Sequence, residues 1–189
     1  MKDFTNDIEN YLTKLKTTID ALKKDEINKF INMLITARDE GKTIFIMGNG
    51  GSASTASHFC CDFNKGASYG YDKRFKFICL NDNTATMMAY SNDVAYEDAM
   101  VEQLKNFFEA GDYVIGISGS GNSKNVVKAI EYANANGGKT IGLTGYQGGK
   151  LKEICHHSVN MRVDDMQISE DLHMMMDHLS LRIITGKEY

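Results

Sequence analysis

The sequence predicts an α/β fold: a doubly wound, flavodoxin-like parallel sheet flanked by helices and preceded by an N-terminal helical hairpin. Three observations predict it. Short apolar runs rich in β-branched residues recur at 43–47, 75–80, 113–117 and 140–144, with helical stretches between them. Two of these runs lead straight into loops of Gly, Ser and Asn. No Gly/Ser-rich linker, low-complexity tract, charge block or repeat interrupts the 189 residues, which are expected to form one domain, 1–189.

From residue 4 to about residue 40, apolar side chains fall at helical spacing: Ile8, Tyr11, Leu12, Leu15, Ile19 and Leu22, then Ile27, Phe30, Ile31, Leu34 and Ile35. The polar stretch 23–26 divides them into two amphipathic helices, the hairpin. The run 43–47 (Thr-Ile-Phe-Ile-Met) reads as a parallel strand, because a strand covered on both faces is apolar throughout rather than alternating. The runs 75–80, 113–117 and 140–144 read the same way, and 158–163 is a candidate fifth strand. The stretch 168–184 has the periodicity of a closing helix. In such a sheet ligands bind beyond the carboxyl ends of the strands, where both small-residue loops lie.

A chain of this length with 42% hydrophobic residues can bury one good core. Its net charge of -4 argues against nucleic acid or an anionic membrane as the main partner, so an anionic ligand would need a local site. The opening stretch, MKDFTNDIENYLTKLKTT, lacks the apolar block of a signal peptide or membrane span, and a cytoplasmic location is expected. Cys60, Cys61, Cys79 and Cys155 have no CxxC spacing and are expected to be reduced core thiols.

The first loop, GNGGSAS at 48–54, precedes the helical stretch TASHFCCDF. The second, within ISGSGNSKNVVKAI at 117–130, sets Ser118, Ser120, Asn122 and Ser123 directly before a helix. A phosphate there would receive unpaired backbone N–H groups and hydroxyl donors at the positive end of the helix dipole. Small residues let the backbone approach the oxygens. Neither loop fits GxGxxG with a following acidic residue, and GxxxxGK[ST] is absent, which disfavours a dinucleotide or P-loop site. A plain turn with a helix cap explains one such loop; two at equivalent strand ends favour a ligand.

His58 and Asp62 are four residues apart on the helix leaving the first loop and share one face. Glu170, His173, Asp177 and His178 crowd the closing helix. His58 and Asp62 with Glu170 and His178 make an N/O set suited to zinc or a similar metal, Glu170 and His178 being separated by only about 80° around the helix. Packing histidines and surface acid pairs are the simpler alternative. His156 and His157 are expected to be solvated, and Met174, Met175 and Met176 to fill core.

With these residues in view, the sequence resembles the phosphoheptose isomerase branch of the sugar isomerase (SIS) family. GNGGSASTASHF, SNDVAYED, GISGSGNSKNV, GLTGYQGGKL and SEDLHMMMDH follow one another at the family's spacing, from Phe4 onward. The resemblance implies a five-stranded parallel SIS sheet and a homotetramer with active sites shared between subunits. It implies conversion of sedoheptulose 7-phosphate to a glycero-manno-heptose 7-phosphate for surface polysaccharide. Asn49, Gly50, Gly51 and Ser52 would line the sugar, Asn92 and Asp93 would contact its hydroxyls, and Ser118, Gly119, Ser120 and Ser123 would hold the phosphate. His58, Asp62, Glu170 and His178 occupy the family's zinc positions, with Asp62 and His178 catalytic. Three departures stand out: Asp62 where the family typically has Glu, Glu170 for a metal-binding Gln, and Gly119 for a Thr. Two other functions are compatible with the same residues: a non-catalytic SIS protein binding a phosphosugar or a protein, like the replication-initiator-associating proteins, and an isomerase of another phosphosugar.

Overall fold

The structure, a computed structural model, describes residues 1–186. Five parallel strands form one sheet: β1 (Ile44–Met47), β2 (Phe77–Cys79), β3 (Tyr113–Ser118), β4 (Lys139–Thr144) and β5 (His157–Asn160), in the order β2-β1-β3-β4-β5. The order reverses at β1, so β1 and β3 lie side by side and the loops that leave them open into one crevice.

Alternation along the buried strands assigns the two faces. Ile44 and Ile46 of β1 with Tyr113, Ile115 and Ile117 of β3 join one core cluster, and Phe45, Met47 and Val114 join the other. The first cluster is covered by α2 (Lys24–Asp39), α3 (Gly51–Cys61) and α8 (Met166–Thr185). The second is covered by α5 (Ala99–Lys105), α6 (Lys124–Ala135) and α7 (Gly149–Ile154). α1 (Thr5–Asp20) leans on α8 through Tyr11 to Asp171 and Lys14 to Asp165, while Ile8, Leu12 and Ile19 stay exposed.

α3 does not simply end; it runs into a π-turn, Asp62–Gly66. The widened turn drives Phe63 inward, where its ring lies 5.8 Å from Phe59, 5.0 Å from Phe75 and 4.8 Å from Phe77. This aromatic cluster anchors the helix that carries His58 and Asp62. Phe63→Ala should therefore cost about 3–5 kcal/mol in chemical denaturation, the usual loss for a fully buried ring.

Several expectations are corrected. The strand read at 75–80 keeps only Phe77–Cys79, with Phe75 and Leu80 buried beyond its ends. The fifth strand begins earlier, at His157, and the chain turns at Arg162, whose φ of 54° breaks an extended run. His157 is not solvated: it is buried in β5 with Nε2 2.7 Å from the Glu26 carbonyl oxygen, whereas His156 is exposed as expected, its Nδ1 accepting from the Thr140 N–H. All four cysteines are free, but Cys61 is exposed rather than a core thiol.

His173 is fully buried on α8, and burial pushes its pKa down to about 4. The folded state thus binds fewer protons than the unfolded state, where the ordinary value is 6.5. Its contribution to stability is whole above that value and is lost as pH falls from 6.5 through about 4. His173→Leu should flatten the decline of stability across that window in pH-dependent denaturation.

Candidate active site

The β1–α3 loop is pinned before any ligand arrives. Asn81 Oδ1 accepts from the Gly48 N–H at 3.1 Å and Asn81 Nδ2 donates to the Gly48 carbonyl at 2.8 Å. Gly50 takes φ 54°, ψ -123°, a conformation open to glycine, and turns the chain into α3. Beside it, the β3–α6 loop is held by Ser118, whose Oγ accepts from the Gly121 N–H and lies 3.0 Å from Ser123 Oγ. The β4–α7 segment clamps the same loop: the Gly119 carbonyl accepts from Gly145 N–H, Gly121 from Leu151 N–H, and Asn122 Oδ1 from Lys150 N–H.

A reciprocal amide pair joins the two loops. Asn49 Nδ2 donates to Asn125 Oδ1 at 3.0 Å, and Asn125 Nδ2 returns a bond to Asn49 Oδ1 at 2.8 Å. The Tyr96 hydroxyl donates to the same Asn49 oxygen at 2.6 Å. Between the loops lies a cleft of about 280 Å³, lined by Asn49, Gly50, Gly51, Ser52, Ser118 and Ser120 among others, with Ser123 at the start of α6. Glu170 reaches in from α8 against Gly51: a Cβ on Gly51 would lie 2.4 Å from Glu170 Oε2. Unpaired N–H groups of two helix starts face a space large enough for a phosphorylated sugar fragment.

Further down α3, four side chains from two segments converge. His58 Nε2 lies 3.2 Å from His178 Nε2, 3.6 Å from Asp62 Oδ2 and 3.8 Å from Asp177 Oδ2. One ligand atom from each of the four falls within 4.8 Å of all the others. His58, Asp62 and His178 are partly open to solvent, whereas Asp177 is fully buried and neither carboxylate oxygen has a hydrogen-bond partner. Burial, and then the Asp62 charge, push the Asp177 carboxyl up to about 8. Two imidazoles, a half-buried carboxylate and an orphaned buried one form a donor set that fits a divalent metal ion.

Comparison with known proteins agrees with this architecture. Residues 3–145 match the SIS domain. The chain belongs to the SIS domain family. Within that family it is 36% identical over 167 residues to the phosphoheptose isomerase of Helicobacter pylori strain P12, covering 87% of this chain and 85% of that one. It is 32% identical over 183 residues to the phosphoheptose isomerase of Aliarcobacter butzleri, covering 95% and 96%. Its fold superimposes on the phosphoheptose isomerase structure from Neisseria gonorrhoeae with a TM-score of 0.89 at 22% identity, over 98% of this chain and all of that one.

The SIS fold sorts the residues singled out in the sequence into three groups. Asn49, Gly50, Gly51, Ser52, Ser118, Gly119, Ser120, Ser123 and Glu170 line one cleft. His58, Asp62 and His178 meet in the cluster below it, and Glu170 is not among them. Glu170 and His178 stand eight residues, about 12 Å, apart along one face of α8, so the two side chains would share an ion only by leaning toward each other. Asn92 and Asp93 stand at the exposed end of α4 (Thr84–Asp93), bonded to each other, and line shallow grooves outside the cleft.

Sequence reasoning missed Asn125, Tyr96 and Met166, and did not place Asp177 beside His58 and His178. Asn125 follows the loop serines by two residues and could have been suspected as a polar residue on an otherwise apolar face of α6; Tyr96 carries no such signal. Met166 accounts for the Gly119 departure. A Cβ at position 119 would sit 2.4 Å from Met166 Sδ, so the thioether fills the space where a larger side chain would stand.

Proposed function

We propose that the chain is a phosphoheptose isomerase, interconverting sedoheptulose 7-phosphate and D-glycero-D-manno-heptose 7-phosphate, and that it works in the cytoplasm as a homotetramer with shared sites. The observation that carries this reading is the pairing, on a SIS fold, of a preformed serine loop at a helix start with a His/Asp cluster on the adjoining helix. The relatives named phosphoheptose isomerase support it over nearly the whole chain.

The phosphate takes the N–H groups and hydroxyls of Ser118, Ser120 and Ser123, with Gly119 leaving the backbone open. The sugar then runs along Asn49, Gly50, Gly51 and Ser52, with the Asn49–Asn125–Tyr96 bonds fixing the Asn49 amide. Asn92 and Asp93, outside their own chain's cleft, serve the sugar hydroxyls of a neighbouring protomer. In the ketose-to-aldose direction Asp62 takes the C1 proton, and the C–H electron pair becomes the C1–C2 double bond while the ketone oxygen accepts a proton. His178 carries the proton between the two oxygens, and Asp62 returns one to C2, leaving the aldehyde at C1.

Zinc is the metal proposed. His58, Asp62 and His178 would hold it, with Glu170, fourth in the set implied by the resemblance, reaching in from beside Gly51. When bound, such an ion supplies positive charge that stabilises enediolate oxygens. The test is incubation of the purified chain with sedoheptulose 7-phosphate, with and without zinc, following the aldose by NMR. Aldose formation is the expected result. Binding without turnover would instead indicate a phosphosugar-binding protein, and turnover only of another phosphosugar would reassign the substrate.

A further inference from the structure

We propose that Asn125 and Tyr96 are positioning residues, which lock the Asn49 amide so that it meets the sugar as a hydrogen-bond donor and not as an acceptor. The lock starts from a backbone group. The Val126 N–H, in the first turn of α6, can only donate, and it lies 3.0 Å from Asn125 Oδ1. That bond settles which end of the Asn125 amide is oxygen and which is nitrogen. Asn125 Oδ1 therefore accepts from Asn49 Nδ2 at 3.0 Å, and Asn125 Nδ2 donates to Asn49 Oδ1 at 2.8 Å. Turning either amide over alone would set donor against donor and acceptor against acceptor. Asn125 is 2% exposed, so water does not take over the lost bonds.

Tyr96 occupies what remains of the Asn49 oxygen. With Asn125 Nδ2 on one lone pair, the Tyr96 hydroxyl donates to the other at 2.6 Å. The turn that carries Tyr96 is itself tied to α6, because Lys128 Nζ lies 2.7 Å from Glu97 Oε1 and 2.8 Å from Asp98 Oδ1. Both constraints on Asn49 thus come from one helix, the helix that starts beside Ser123.

A single group of the amide is left over. Asn49 uses one of its two N–H donors, while both lone pairs of its oxygen are taken. Asn49 lines the cleft beside Gly50 and the serine loop, so what it offers a ligand there is the second N–H. The matching group is an oxygen lone pair on the sugar chain, from a carbonyl, ether or hydroxyl oxygen. An amide free to turn over would serve a ligand donor equally well; a locked one leaves that donor unpaired and disfavours it. The helix whose start receives the phosphate therefore also sets the group that reads the sugar.

This inference deepens the isomerase reading and rests on it for the ligand, but its test reads binding and not turnover, so the two fail separately. Wild type, Tyr96→Phe and Asn125→Leu are titrated calorimetrically with inorganic phosphate, with sedoheptulose 7-phosphate and with shorter ketose phosphates, and the same two changes are made again on Asn49→Ala. Tyr96 is 53% exposed and keeps its ring in Tyr96→Phe, so that variant folds even if Asn125→Leu does not. The expected result is phosphosugar affinity weakened about two- to tenfold in Tyr96→Phe and at least about tenfold in Asn125→Leu, with inorganic phosphate held within about twofold of wild type. On Asn49→Ala neither change should weaken the phosphosugar further, because residues that act through Asn49 have nothing left to position. Losses that persist in full on Asn49→Ala, phosphate weakened as much as phosphosugar, wild-type affinity in both variants, or a wild type that binds no ketose phosphate would each overturn the assignment. Binding of a ketose phosphate without turnover would sink the isomerase reading and leave this one standing.

Discussion

Asp62→Asn should lower kcat for the sugar phosphate by about 10²–10⁴-fold, the range for removing a positioned general base, while binding of the phosphosugar persists. The amide keeps the size of the carboxylate and its place at the start of the π-turn, so the aromatic packing around Phe63 is untouched. Measured at saturating zinc, with affinity for the sugar followed separately, the loss falls on turnover alone. His178→Gln should show the same split. The double variant should be little worse than either single one, because two groups that move protons in one transition state act as a unit. Wild-type turnover in Asp62→Asn would remove the residue from the proton path and transfer attention to Glu170, the other carboxylate near the sugar loop.

Gly121→Ala carries the second large expected effect, on the phosphate end. Gly121 has φ +68°, and a Cβ there would lie 2.0 Å from the Gly148 carbonyl oxygen and 2.6 Å from its carbon. Both obstacles are backbone, so the β3–α6 loop must move away from the β4–α7 segment that clamps it. The left-handed conformation alone costs an alanine about 1–2 kcal/mol. Gly41, at φ +67° with nothing within 4 Å of its Cβ position, isolates that part: Gly41→Ala should cost only the strain. Gly121→Ala should cost on the order of 3 kcal/mol or more and weaken phosphosugar binding at least tenfold, read by denaturation and by calorimetric titration. Equal effects in the two variants would show that the clamp does not shape the phosphate loop.

The sheet was legible because parallel strands buried on both faces leave uninterrupted apolar runs, as in β1 and β3, and because the loops that end them are short on side chains. What periodicity could not give was depth. Periodicity placed Glu170 and His178 on one face of α8 but could not show which side chains of α3 and α8 meet, so Asp177, turned inward beside His58, was passed over. His157 was misread for a related reason: a polar residue in a short edge strand looks like loop until Glu26 of α2 supplies its partner. Asn125 and Tyr96 meet Asn49 across separations of 76 and 47 residues, contacts that no local pattern encodes. Gly119, by contrast, was noticed only as a departure, and its reason lies in Met166, 47 positions later in the chain.

The central claim is that one phosphosugar spans both loops, anionic end on the serines and carbonyl end on the His/Asp cluster. A crystal structure of the assembled protein soaked with sedoheptulose 7-phosphate tests it most directly. The account predicts phosphate oxygens within hydrogen-bond reach of Ser118, Ser120 and Ser123, with C1 and C2 beside Asp62 and His178. A phosphate seated elsewhere, or a carbonyl end turned away from every copy of Asp62 and His178, would contradict it.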